Sequence, residues 1–177
     1  MEPELKDPAY FASIGLPMEH RLIEELGKVG WTDAKAPVFI QSFDSGALRK
    51  LHAETSLRLE QLVMPGPAGD HMVTAAGMDA IGTYAIAVGV DKSRIQAALA
   101  ASPSTDSVLS RAHNRAMGVR VFTFSEDNVT RGAYQDLYHQ SDPPWLRDAL
   151  AEFRAYYRAG VDAVFTDNPA VAVRARW

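Results

Sequence analysis

The sequence predicts an α/β fold of the parallel-sheet kind, with strands alternating with helices packed outside them. Three observations carry this. An amphipathic helical stretch ends at a glycine and a β-rich segment follows at once, three times over. Polar residues gather at the C-terminal ends of the expected strands, as in barrel enzymes. Neither G-x-G-x-x-G nor G-x-x-x-x-G-K-[ST] occurs, so nothing marks a nucleotide-binding sandwich. Together these favour a (β/α)₈ barrel over a doubly wound sheet. At 177 residues the chain is short for a full barrel, which takes ~250 residues.

The elements follow in order. "EPELK" at the start alternates at strand spacing, so Glu4 and Lys6 fall on one side, and Pro8 stops the strand. From Pro17, a good first-turn residue, Leu22, Ile23, Leu26 and Val29 recur at helical spacing up to Gly30, and "PVFIQSF" (37–43) reads as the next strand. "SLRLEQLV" (56–63) alternates as a strand should, while "IGTYAIAVGV" (81–90) is an apolar run bounded by glycine. A helix from about Asp106 places Val108, Leu109, Ala112 and Ala116 on one face, with Thr105 or Asp106 as its cap, and stops at Gly118 before "VRVFTF" (119–124). The last helix opens at "SDPPWL" (141–146) and buries Trp145, Leu146, Leu150, Phe153, Tyr156 and Tyr157. It stops at Gly160 before "VDAVFTD" (161–167). No linker divides the chain, so residues 1–177 read as a single domain.

Composition narrows the function. Apolar residues make up 47% and charged residues 23%, ordinary for a globular domain. The net charge of −4 is dispersed, with no basic stripe for nucleic acid or anionic lipid. With no cysteine there is neither a disulfide framework nor a thiolate metal site. No apolar run approaches the ~20 residues of a membrane span, and no signal-peptide pattern opens the chain. Among the histidines, His20 lies mid-helix in "MEHRLIEEL". His52, His71 and His139 lack a partner carboxylate at motif spacing and read as surface. His113 reads as a packing or capping residue. "GVDKS" (89–93) reads as a capping turn before an anion site, and "MPGPAGDH" (64–71) as a loop on the pocket rim.

Four segments in order carry more specific information: "PELKDP", "VFIQSFDSGALRKL", "GVRVFTFSEDN" and "GVDAVFTDNPAVAVRAR". With "AIGTYAIAVGVDKSRI", they resemble the glycerophosphodiester phosphodiesterase family, most closely its periplasmic type. The likeness runs from Glu4 to about Arg174. It implies a partial (β/α)₈ TIM barrel, roughly strands 4 to 8, and metal-assisted hydrolysis of a small glycerophosphodiester to glycerol 3-phosphate and an alcohol. It implies Ca²⁺ or Mg²⁺ held by the Glu4 carboxylate, and Lys6 as the catalytic lysine that faces the phosphate. A hard cation takes oxygen ligands, and an ammonium stabilises charge developing on phosphoryl oxygens. Gln41 and Phe43, on one face of the next strand, would line the same pocket. Asp167 closes the last strand, as an anchor or as pocket wall, and is counted with Lys6, Gln41 and Phe43 as substrate-facing.

The resemblance also sets an expectation of incompleteness. The family pattern's His-Arg-Gly, its Glu-x-Asp pair and its second histidine have no counterpart here, since the His20-Arg21 pair is followed by leucine. The chain is therefore expected to correspond to the C-terminal part of such a barrel, without strands 1–3, and to be inactive alone. The alternative is a non-catalytic remnant that self-associates as a homodimer through exposed sheet edges. A phosphatidylinositol-specific phospholipase barrel fits "QSFD" and "FTDNP" less well. The periplasmic-type likeness suggests export.

Overall fold

A computed structural model describes residues 1–100, 106–124 and 144–177. Among them lies one parallel five-stranded sheet in the order β1-β2-β3-β4-β5. The strands are β1 (Phe39–Ser42), β2 (Arg58–Leu62), β3 (Ala87–Asp91), β4 (Gly118–Phe124) and β5 (Ala163–Thr166). Sequential order in a parallel sheet is the mark of a barrel wall rather than of a doubly wound sheet, and five strands make an open half-barrel.

Most of the helices pack on the convex side. The helices are α1 (Pro8–Ser13), α2 (Glu19–Lys28), α3 (Ser45–Glu54), α4 (Ala75–Ile81), α5 (Ser93–Ala100), α6 (Val108–His113), α7 (Pro144–Arg158) and α8 (Pro169–Ala175). Strand alternation sends Ile40, Leu59, Val88, Val90, Val119 and Val121 into one core with Leu48, Leu51, Ile95 and Leu109 of the helices. The opposite face of each strand forms the concave side, where Gln41, Glu60 and Arg120 lie. Gly30 at φ 77° and Gly160 at φ 101° make the left-handed turns that end α2 and α7, as the helix-to-strand pattern predicts.

Several boundaries differ from the sequence reading. The segment "EPELK" forms one parallel bridge, Glu4 to Gln41, rather than a regular strand. Pro3 has no amide hydrogen, and Asp7, at φ 48°, turns the backbone into α1. In "IGTYAIAVGV" only the second half is strand. Ile81 ends α4, and the Tyr84 and Ala85 amides bond back to its carbonyl. The cap of α6 is Ser107, which forms a reciprocal capping box with Ser110, while Asp106 pairs with Arg111 Nε at 2.6 Å. That helix ends at His113, not at Gly118; Ala116 takes the left-handed turn at φ 57° and Gly118 already belongs to β4. Similarly α2 begins at Glu19 rather than Pro17, and Val29 lies beyond it, exposed. Thr105, His139, residues 141–143 and the Trp145 side chain lie outside the described residues.

His20 is exposed between Glu24 and Glu54, on a solvated helix face. His52 and His71 are exposed as well. His113 is tied to the base of the sheet, its Nε2 at 2.9 Å from Asp162 Oδ2. Lys92, in "GVDKS", packs its ammonium over Phe124 and pairs with Glu152, while Asp91 caps Ser93 N at 2.9 Å.

Candidate functional site

Parallel strands aim their C-terminal ends at one rim of the concave face, and the chain places its polar residues there. Segment 1–6 lies beside β1, with Gln41 N donating to Pro3 O at 3.0 Å and Leu5 N to Gln41 O at 2.9 Å. This sets Glu4 next to Gln41. The Lys6 ammonium stands 3.6 Å from Glu4 Oε2; the Glu4 side chain is 24% exposed and that of Lys6 76%. Both line a cavity of about 340 Å³ with Gln41, Phe43, Phe122 and Phe165. A second groove of about 510 Å³ opens beside it, where Asp7, Tyr10, Asp44 and Met64 join Glu4 and Lys6.

The walls of the cavity are aromatic. Phe43 meets Phe122 edge-on at 6.0 Å, and Phe122 meets Phe165 at 6.5 Å, geometries that ring quadrupoles favour. Gln41 is buried and its Nε2 donates to Glu2 O at 3.2 Å, so this side chain also holds segment 1–6 in place. Asp44 Oδ1 accepts from the Gly46 and Ala47 amides and caps α3 behind the rim. Glu4, Lys6, Gln41 and Phe43, all singled out from the sequence, therefore meet at one site. Asp167 is exposed, its amide donating to Phe124 O at 3.2 Å, and it is not among the residues lining the cavity.

Below the cavity lies a charge cluster that strand reading alone missed. Arg120 of β4 pairs with Glu2 and, at 3.2 Å, with Glu60 of β2. Its guanidinium lies 3.7 Å from the centroid of the Phe39 ring. Glu60 is fully buried, and burial pushes its carboxyl up to about 8 despite Arg120. A Cβ at Gly89 would sit 2.7 Å from Glu60 Oε1, so the glycine makes room for this side chain. The alternation of "SLRLEQLV" and "VRVFTF" did carry a signal, since period two puts Glu60 and Arg120 on the face opposite the core valines.

The matching family model is that of the glycerophosphoryl diester phosphodiesterase family, over residues 11–171. The chain belongs to this family. Solved structures show the same fold at low identity. A Silicibacter pomeroyi chain assigned as a glycerophosphoryl diester phosphodiesterase is 17% identical with a TM-score of 0.63, the match covering 98% of this chain and 49% of that one. A glycerophosphodiester phosphodiesterase of Thermotoga maritima is 14% identical with a TM-score of 0.54, covering 99% and 56%. A glycerophosphoryl diester phosphodiesterase of Parabacteroides distasonis is 17% identical with a TM-score of 0.55, covering 98% and 49%. No curated protein matches the chain. The chain spans about half the length of the solved structures it resembles.

Enzymes of this family generally use a divalent metal. Among the described residues no three His, Asp or Glu side chains are grouped to hold one, whereas a hard cation takes about six oxygen ligands or more. Glu4 and its described neighbours therefore do not by themselves make a metal site. No described helix is long and apolar enough to cross a membrane.

Proposed function

We propose that this chain forms the phosphate-facing wall of a glycerophosphodiester phosphodiesterase site, corresponding to strands 4 to 8 of the barrel. The observation that carries this is the convergence of Glu4, Lys6, Gln41 and Phe43 on one cavity at the C-terminal rim of the half-barrel. The Lys6 ammonium, mostly exposed at the rim, is placed to neutralise a phosphodiester and the charge that builds on its oxygens during hydrolysis. Glu4 keeps that ammonium oriented and offers one carboxylate toward a divalent cation such as Ca²⁺ or Mg²⁺. The aromatic row of Phe43, Phe122 and Phe165 walls the apolar side of the substrate. The carboxylates beside Lys6 are Glu4, Asp7 and Asp44, and no described histidine joins them there; on this reading the chain alone binds substrate without turning it over.

Titration with glycerol 3-phosphate, followed by NMR, tests this reading. Binding should appear in the wild type and weaken about tenfold in Lys6→Met. Absence of binding, or robust hydrolysis of glycerophosphocholine with Ca²⁺ by this chain alone, would refute it. A second reading has its own support. Segment 1–6 and β5 are the two outer edges of the sheet, each paired on one side only among the described residues. Such edges template pairing with a second copy, and a monodisperse monomer by light scattering would count against it.

A further inference from the structure

We propose that Arg120 is a positioning residue for Glu4 and Lys6, acting through Glu2. This rests on the reading of Glu4 and Lys6 as the phosphate-facing pair. Segment 1–6 is held to β1 by one bridge and a few backbone bonds, and among the described residues nothing pairs with its outer side. Two side-chain bonds add to these, Gln41 Nε2 to Glu2 O and Ser42 Oγ to Leu5 O, and both come from β1 itself. The Glu2–Arg120 pair differs in kind, because it crosses the concave face and anchors the segment to β4. Glu2, Glu4 and Lys6 alternate on one side of an extended backbone, about 6.6 Å apart per pair. Fixing the first therefore sets the lateral place of the other two.

Arg120 is itself closely held. It grips Glu60 at 3.2 Å, lies against the Phe39 ring, and is only 9% exposed. Apolar residues often replace buried ion pairs with no loss of stability. Stability alone therefore gives no reason for a guanidinium with two carboxyl groups under a substrate cavity. A rigid tether across the mouth of the half-barrel does.

Two variants test the tether, Glu2→Gln, whose side chain is one-third exposed, and the double variant Arg120→Met with Glu60→Gln, which leaves no unpaired buried charge. Amide exchange is read at Leu5, whose hydrogen bond reports the segment, and at Val63 and Gly118 as sheet references. In both variants Leu5 should exchange about tenfold faster while the references and the unfolding midpoint of Glu2→Gln stay put. Glycerol 3-phosphate affinity should fall about fivefold alongside. Unchanged Leu5 exchange overturns the proposal, as does faster exchange with unchanged affinity. If the wild type binds no glycerol 3-phosphate, the functional reading fails on its own, and Leu5 exchange still decides whether Arg120 holds the segment.

Discussion

Arg120 Nη1 stands 3.2 Å from Glu60 Oε2, with Glu60 completely removed from solvent. The pair joins β2 to β4 across the intervening β3, and Gly89 of β3 clears the space between them. One guanidinium thus serves two carboxyl groups, Glu60 below and Glu2 at the rim. Since burial lifts the Glu60 carboxyl to about 8, the cluster carries a proton at neutral pH.

That proton makes stability pH-dependent. The folded chain holds the Glu60 proton up to about pH 8, whereas the unfolded carboxyl loses it near its ordinary value of 4.5. Between these limits folding takes up a proton, so the Glu60 contribution is full at low pH and is lost as pH rises toward 8. The slope from this group approaches ~1.4 kcal/mol per pH unit. Urea unfolding at pH 5, 6.5 and 8 should show the decline, and Glu60→Gln should flatten it.

Gly89→Ala should be destabilising by ~1–3 kcal/mol. Its Cβ would fall 2.5 Å from Leu62 Cδ2 and 2.7 Å from Glu60 Oε1, both under van der Waals contact. Pairing it with Glu60→Ala removes one obstruction, so the double variant should lose less than the sum of the two single changes. A double-mutant cycle in urea checks this.

At the opposite end of the sheet, Asp162 Oδ2 accepts from Val119 N at 2.7 Å and meets His113 Nε2 at 2.9 Å. This is the N-terminal end of β4, the end that serves stability in barrels. Asp162→Ala leaves the Val119 amide without its acceptor and should cost ~1–2 kcal/mol. Glycerol 3-phosphate binding should be unchanged, which separates this cluster from the one built on Arg120.

Much of this arrangement was legible from residue patterns, for physical reasons. Gly160 before Val161 announces a helix end and a strand start because few other residues take a left-handed turn there. Period two places Gln41 and Phe43 on one face, and Glu4 and Lys6 on one side of a neighbouring segment. The Glu60–Arg120 pair was not legible, because it depends on which strands are neighbours and on the gap at Gly89. In "IGTYAIAVGV" the apolar run conceals a boundary, since a buried helix end and a buried strand look alike in hydrophobicity. The cap of α6 was missed for another reason. Asp106, Ser107 and Thr105 are all good caps in isolation, and the pairing of Asp106 with Arg111 leaves the role to Ser107.

Among the described residues Arg94 is the side chain that ties down the rim loop after β2, and its removal should be readable. Arg94 Nη1 bonds Asp70 Oδ1 at 3.0 Å, while its Nη2 bonds Met64 O at 3.0 Å and Gly66 O at 2.6 Å. These contacts fold residues 64–70 back toward α5 and set Met64 at the groove beside Lys6. A lysine ammonium is a point donor and cannot span two carbonyls and a carboxylate with a fork's geometry. Arg94→Lys should therefore behave much like Arg94→Ala. Both should open the loop to limited proteolysis near Gly66 several-fold faster while costing global stability only ~1 kcal/mol, because the freed carbonyls reach water. Cleavage at the wild-type rate would show that the loop is held by its own 3-10 turn (Gly66–Val73) rather than by Arg94.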